Sequence, residues 1–217
     1  MSNPDSFIQE VTEEVRRDRL FALMRRYGWI AVLAVLVMVG TASWREWTQA
    51  RDRAAAQALG DAILTALEMP DADARAQALG AVEATGDARG LVTLLSAGET
   101  QDGPRKDAAI EALRAMSNDA SLPVTYTQLA ALKLVMLEGR AADPEARLAT
   151  LGPLAEPGRP YRPLALEQIA LAEIDAGRPD AALGHLQTLV QDAEATAGLR
   201  QRASQLIVAL GGTPQEG

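Results

Sequence analysis

The chain has 217 residues, of which 48% are hydrophobic, 23% charged and only 4% aromatic, and its formal net charge is -8. This length and apolar share are enough for one domain with an appendage, which argues against a wholly disordered chain. The acidic balance argues against a general nucleic-acid binder, which needs surplus Lys and Arg, and the absence of Cys excludes disulfides and thiolate metal sites.

Aromatic residues are distributed very unevenly along the sequence. Six of the eight lie in the first 47 positions, and the remaining 170 residues contain only Tyr126 and Tyr161. A core in that second region must therefore pack on Ala, Leu, Val and Ile. The distribution predicts two physically different regions.

Residues 1–26 have the pattern of an amphipathic helix that remains in the cytoplasm. Ser6 followed by Gln9 has the spacing of a capping box, and Phe7, Val11 and Val15 recur at helical intervals. Such a helix either lies on the membrane surface or docks on a cytoplasmic or membrane partner. The sequence does not separate these two functions.

Residues 27–47 are predicted to form a transmembrane helix. No charged residue occurs from Tyr27 to Trp44, and 18 residues of helix cover about 27 Å, close to the roughly 30 Å thickness of the bilayer hydrocarbon. Tyr27 and Trp29 at one end, with Trp44 and Trp47 at the other, are placed where aromatic belts lie in membrane proteins. The predicted lipid contact is therefore residues 27–47.

A buried core helix and a cleaved signal peptide are the alternatives for this segment. Small residues around Ala42 offer a cleavage site, but the 26 preceding residues include five acidic side chains, which favours a retained anchor. Five Arg precede the charge-free run of residues 27–44 and three follow it, so the positive-inside rule predicts a cytoplasmic N-terminus. Residues 54–217, with 13 basic and 22 acidic side chains, are then exported.

The rest of the chain is predicted to be all-α. Residues 48–70 are predicted to be a helical linker that extends the span, because residues 49–59 contain helix formers without a breaker and the helix is expected to end before Pro70. Across residues 71–217, Gly and Pro separate segments of helical length, and no convincing alternating strand occurs.

One segment has the spacing of a tetratricopeptide (TPR) helix pair. In such a pair of antiparallel helices, small residues lie where the two backbones approach and a Gly lies at the turn. Larger residues fill the seam, which is the contact line between the two helices. The matching positions are Leu166, Ile169, Ala170, Gly177, Ala182, Leu186 and Leu189. Looser pairs precede it, with Gly139 as the turn of one. The predicted fold is a TPR-like array of antiparallel helix pairs, and an ordinary helical bundle is the alternative.

Motifs for catalysis or cofactor binding are not found in the sequence. His185 is the only His, and with no Cys beside it the usual zinc ligand sets cannot form. Acidic pairs fall on polar helix faces, and phosphate loops and nucleophile elbows are missing. We therefore expect no enzymatic activity, no cofactor, no metal and no small-molecule substrate.

Several segments of the chain carry a resemblance to a known family: residues 7–20, Arg26-Tyr-Gly28, Ala42-Ser-Trp-Arg-Glu-Trp47, and residues 161–170 and 198–203. In combination they resemble the ancillary Sec translocon subunit family of Gram-negative inner membranes, and the last two segments resemble its alphaproteobacterial members. It implies a domain that is anchored beside the translocon and faces the periplasm. Its partners would be translocon subunits, periplasmic chaperones or translocating polypeptides. A periplasmic scaffold for cell-division or outer-membrane assembly factors is the alternative.

A TPR groove binds its partner on the first helix of each pair. By the repeat offsets, the positions that would face such a groove are Tyr126, Leu129, Lys133, Met136, Glu167, Leu171 and Ile174.

Overall fold

The computed structural model describes residues 4–100 and 103–213, and the side chains at 4–24, 27 and 31 lie outside that description. Helices make up 78% of the structure, and the described ranges contain no strand. The all-helical prediction is therefore confirmed for this part of the chain.

The first helix, α1, runs without interruption over Pro4–Leu67. It includes the predicted leader, the span and most of the linker, because only single glycines interrupt the helix formers before Pro70. The chain divides into two compact units between Ala58 and Leu59.

In the first unit, the described apolar side chains are exposed. Trp29, Trp44 and Trp47 are 63%, 66% and 53% exposed, and the Val and Leu residues between them are exposed to a similar degree. The segment Gly28–Leu67 contains an 18-residue window with a mean hydropathy of 1.5, none of which is buried. Among the described residues, this is the one helix that is long and apolar enough to cross a membrane.

The second unit contains the end of α1 and a series of shorter helices. Two 3-10 turns, Gly139–Ala141 and Gly152–Leu154, follow the fifth and sixth helices. The α-helices are α2 Ala72–Gly80, α3 Asp87–Glu99, α4 Lys106–Ser117, α5 Val124–Glu138, α6 Pro144–Leu151, α7 Arg162–Asp175, α8 Pro179–Gln191 and α9 Ala197–Ala209.

The helices of the second unit pack mainly against their neighbours in the chain. Each helix from α2 onward packs against the next helix in the chain. In addition, α3 contacts α5, α5 contacts α7, and α7 contacts α9. The odd-numbered helices from α3 to α9 therefore lie side by side in one layer.

Leucines and alanines form the core of the second unit. Three adjoining clusters extend along the array, and their largest fully buried side chains are mostly Leu. Alanines with no exposed surface allow neighbouring helices to approach closely, which explains how this unit packs with two aromatic residues. The alanines are Ala130, Ala165, Ala170, Ala172, Ala182 and Ala203.

The turn between α7 and α8 is a Schellman motif. Gly177 has φ +72°, and its N–H donates to the carbonyl of Ile174 at 3.0 Å, while Arg178 N–H donates to the carbonyl of Glu173 at 2.9 Å. Gly favours this left-handed position because it has no Cβ, and Pro179 then starts α8.

The residues predicted to form the seam between these two helices are buried. Leu166, Ala170, Ala182, Leu186 and Leu189 share one core cluster. The sixth seam residue, Ile169, belongs to the adjoining cluster instead.

Candidate partner-binding groove

Two cavities lie along the layer of odd-numbered helices. The first has a volume of about 730 Å³ and is lined by the end of α3, the start of α4, the length of α5 and the start of α7. The second has a volume of about 470 Å³ and is lined by α5, α6, α7 and α9. Both are lined by Met136, Gly139 and Arg140. We call the two cavities together the basic groove.

Five of the seven predicted groove positions line the basic groove. Leu129, Lys133 and Met136 line the first cavity, and Met136, Leu171 and Ile174 line the second. They project from α5 and α7, which are neighbours in the odd-numbered layer. The repeat offsets therefore bring these five residues to the same surface.

Tyr126 and Glu167 do not line either cavity, contrary to the prediction from the repeat offsets. Tyr126 packs toward α3, where a Cβ placed on Gly90 would lie 3.2 Å from its ring atom Cδ2. Glu167 is buried and accepts hydrogen bonds from Arg202 on α9, at 2.8 Å from Nε and 3.1 Å from Nη2. This carboxylate also raises the pKa of Arg202. Both residues join neighbouring helices instead.

The apolar lining of the basic groove is partly open to solvent. Met136 is 55% exposed and Leu164, at the start of α7, is 38% exposed. Leu206 and Leu210 extend the apolar lining to α9. An exposed Met is well suited to contact varied partners because its side chain is flexible and polarizable.

Basic side chains outnumber acidic ones in the lining of this groove. The basic residues are Lys106, Lys133, Arg140 and Arg147, and the acidic residues are Glu138 and Asp175. The carboxylate of Asp175 is shared by two guanidinium groups, Arg140 at 3.0 Å and Arg147 at 2.7 Å. The groove is therefore locally basic in a chain whose net charge is -8.

In the first unit, the tryptophans of the predicted belt are exposed and accompanied by a cation. The rings of Trp44 and Trp47 lie 5.6 Å apart, and the guanidinium of Arg51 lies 5.0 Å from the Trp47 ring centroid. Tyr27 lies outside the described side chains. An aromatic pair with an adjacent Arg is typical of the boundary between hydrocarbon and headgroups.

The remaining candidate chemistry is sparse. Within residues 4–100 and 103–213, no group of three or more metal-ligating side chains is close enough to hold a metal ion. His185 is half-buried on α8.

Sequence reasoning missed Lys106 and Leu164 as groove residues. The rarity of Lys in this chain is a signal that could have identified Lys106. No sequence pattern distinguishes Leu164 from the other leucines of the array.

The chain matches no protein-family profile, no characterised protein and no solved structure.

Proposed function

We propose that the protein is a non-enzymatic, membrane-anchored, TPR-like binding protein. In this proposal α1 crosses the bacterial inner membrane with its N-terminus in the cytoplasm. The second unit then binds translocon subunits, emerging polypeptides or chaperones at the periplasmic side of the Sec translocon. It links translocation to the periplasmic chaperones.

The observation that carries this proposal is the exposure of the apolar part of α1. A core helix buries its apolar face, whereas none of the apolar window within Gly28–Leu67 is buried. Exposing that many Val, Leu and Trp side chains to water is unfavourable by roughly 25 cal/mol per Å² of apolar surface. A bilayer removes this cost.

The TPR-like assignment is supported by the order of the helix contacts. In a solenoid of helix pairs, each first helix packs beside the first helix of the next pair, as α3, α5, α7 and α9 do. The basic groove lies on this layer, which is where helical repeats bind their partners. A tether on α1 would raise the effective concentration of this groove near the membrane.

The proposed partners can be tested by photo-crosslinking in native membranes. A benzophenone amino acid replaces Met136, which lines the groove, or Val208, which is equally exposed but lines neither cavity. We expect Sec translocon subunits or periplasmic chaperones among the products formed from position 136, and a weaker or different pattern from position 208. Recovery of division or outer-membrane assembly proteins alone would instead favour the scaffold alternative.

Fractionation tests the anchor itself. A retained span keeps the full-length chain in the membrane pellet after alkaline extraction. A soluble product that begins near Ser43 would show that the segment is a cleaved signal peptide and would remove the anchor from the proposal.

A further inference from the structure

The chain contains two lysines, and both line the same cavity. Of its 21 basic residues, 19 are Arg, and the lysines are Lys106 and Lys133. Lys106 comes from α4 and Lys133 from α5, yet both lie in the lining of the first cavity of the basic groove.

The arginines of the second unit are already paired, which distinguishes them from the lysines. Each of them, from Arg75 to Arg202, has an ion pair or hydrogen bond with a carboxylate, an amide or a backbone carbonyl. Across the array they join helices to one another, through Arg75–Glu99 at 2.6 Å, Arg114–Glu138 at 2.6 Å, Arg147–Asp175 at 2.7 Å and Arg178–Glu145 at 2.5 Å. The side-chain ammonium groups of Lys106 and Lys133 have no ion pair or hydrogen bond with any residue that the structure describes.

The acidic residue in the lining of the first cavity, Glu138, is paired with an arginine of another helix. Glu138 Oε1 lies 2.6 Å from Arg114 Nη2, on α4. Because the charge-assisted hydrogen bond to Arg114 already partly neutralises this carboxylate, a second ion pair with a lysine would be weaker. Within residues 4–100 and 103–213, no carboxylate therefore pairs with the ammonium groups of the lysines, which can bind an incoming anion.

The helix dipoles near the two lysines favour a cation at position 133 but not at position 106. Lys133 Nζ lies near the last turn of α3, where a Cβ placed on Gly98 would be 3.5 Å away, and the negative end of a helix dipole favours a cation there. Lys106 is the first residue of α4, where the dipole disfavours a cation. Helix stability therefore gives no reason for a lysine at position 106.

From these observations we infer that the basic groove binds an amphipathic peptide segment whose apolar side chains alternate with carboxylates. Lys106 and Lys133 pair with its acidic residues, and Leu129, Met136 and Leu164 contact its apolar residues. This inference rests on the proposed function, since it specifies the chemistry of the partner for the same groove. Charge complementarity to the two ammonium groups, which pair with no described carboxylate, selects an acidic partner over a basic one.

The shape of the groove favours a peptide over an anionic membrane surface. The first cavity, at about 730 Å³, has room for several side chains, and its apolar lining extends into the second cavity through Met136. A planar array of lipid headgroups could approach the lysines but would leave this concave apolar lining unfilled. A peptide segment with both apolar and acidic side chains fills the apolar lining and pairs with the lysines.

The test uses the full-length protein in nanodiscs of neutral lipid and short fluorescein-labelled peptides rich in Leu and Glu. Matched peptides replace every Glu by Gln, every Glu by Lys, or every Leu by Ser. Fluorescence anisotropy gives the dissociation constants at low and at physiological ionic strength. We expect the Leu/Glu peptide to bind most tightly. Its affinity should fall as the ionic strength rises, because salt screens partly exposed ion pairs.

Two sets of variants separate the lysines from net charge. K106Q/K133Q should weaken binding of the Leu/Glu peptide about tenfold, which corresponds to about 1.4 kcal/mol, and leave binding of the Gln peptide unchanged. The control, R53Q/R159Q, removes two charges from exposed ion pairs outside the groove and should leave the affinity unchanged. M136S tests the apolar contact and should weaken binding of the Leu/Glu peptide and of the Gln peptide by similar factors.

Carbodiimide coupling gives an independent readout. This reagent joins a lysine amine to a carboxylate with loss of water, so a bound acidic peptide should be coupled to Lys106 or Lys133. Mass spectrometry should locate the new amide bonds, and K106Q/K133Q should abolish them.

Several outcomes would overturn the inference. Equal affinity for the Glu, Gln and Lys peptides would remove the role of the lysines, as would equal losses in K106Q/K133Q and R53Q/R159Q. Loss of binding to vesicles of anionic phospholipid in K106Q/K133Q, with no change in peptide binding, would assign the lysines to a membrane surface. If photo-crosslinking still recovers translocon subunits while every peptide fails to bind, the proposed function stands and this inference falls. Peptide binding without any translocon crosslink supports the inference and contradicts only the proposed location.

Discussion

Apolar side chains have opposite environments in the two units of this protein. In the first unit, the Val, Leu and Trp side chains described along α1 are exposed, and no part of its apolar window is buried. In the second unit, leucines such as Leu79, Leu113 and Leu186 have no exposed surface. The same residue types therefore serve two different purposes in one chain.

This difference shows why average composition misleads for such a protein. A hydrophobic share of 48% is ordinary for a globular domain, but part of it here lies in one exposed helix. The second unit, which contains only two aromatic residues, compensates with close helix contacts through alanine. The following predictions test this contrast, from the largest expected effect to the smallest.

The core of the second unit should be the most sensitive to truncation. Leu186 is fully buried in the cluster shared by α7, α8 and α9, and Leu186→Ala should cost about 2–5 kcal/mol in free energy of unfolding because it leaves a cavity. Hydrogen exchange of the full chain in micelles, followed by mass spectrometry, should show faster exchange across these three helices.

The matched control for the core is Val208→Ala on α9, where the side chain is 61% exposed. Its effect should be within about 0.5 kcal/mol. Equal acceleration of exchange in both variants would mean that the second unit lacks the packed core described here.

Membrane retention of the exposed part of α1 should be sensitive to the introduction of a charged side chain. Leu36→Arg places a cation in the middle of the apolar run, at a cost of about 3 kcal/mol for membrane insertion. The variant should be released from membranes by alkaline extraction, while hydrogen exchange of the second unit stays unchanged. Gln57→Arg, on the polar continuation of α1, is the control and should remain in the pellet. Full retention of Leu36→Arg would contradict the membrane role of this segment.

The turn between α7 and α8 should depend on backbone conformation alone. Gly177 has φ +72° and no atom within 4 Å of a Cβ, so Gly177→Ala should cost about 1–2 kcal/mol through left-handed strain. Gly184, inside α8, also has open space, and Gly184→Ala should stabilise by about 0.5–1 kcal/mol. Thermal unfolding should therefore shift in opposite directions for these two variants. A shift in the same direction would contradict the Schellman geometry.

The smallest effect should appear as a pH dependence at the turn before α5. The side-chain and backbone groups of Ser121 donate to Asp119, and Arg89 lies 2.9 Å away, so the pKa of Asp119 is lowered from 3.8. Because the pKa of Asp119 is lower in the folded state than in the unfolded state, the ionised carboxylate stabilises the fold when the pH is above the unfolded-state pKa. This contribution is lost as the pH falls through the folded-state pKa. Asp119→Asn should therefore lower the melting temperature slightly at neutral pH.

The difference between wild type and Asp119→Asn should shrink as the solution is acidified below about pH 4. Melting temperatures measured across this range check the prediction. A difference that is constant with pH would show that the substitution acts through something other than the ionised carboxylate.

The sequence predicts some parts of this structure well, for identifiable physical reasons. Gly177 and Pro179 mark the end of one helix and the start of the next, because a left-handed turn needs Gly and a first helical position accepts Pro. The charge-free run after Tyr27 predicts an exposed apolar helix because its length matches a bilayer.

Other parts could not be read from the sequence. Tyr126 and Glu167 fall at repeat offsets that predict the groove, but each packs against a neighbouring helix, since consecutive residues on a helix differ by about 100° and the seam positions alone do not fix its rotation. Lys106 was not predicted because it comes from a different helix pair than Lys133. Only the packing of α3, α4 and α5 brings the two lysines to one cavity.

The scarcity of lysine gives the protein a built-in spectroscopic probe. Reductive methylation with ¹³C-formaldehyde labels lysine amines without altering their charge, so the groove would carry two dimethylammonium signals beside that of the N-terminal amine. No engineered residue is required. The chemical shifts of these signals would report, for any candidate partner added to the intact protein, whether it occupies this surface or another.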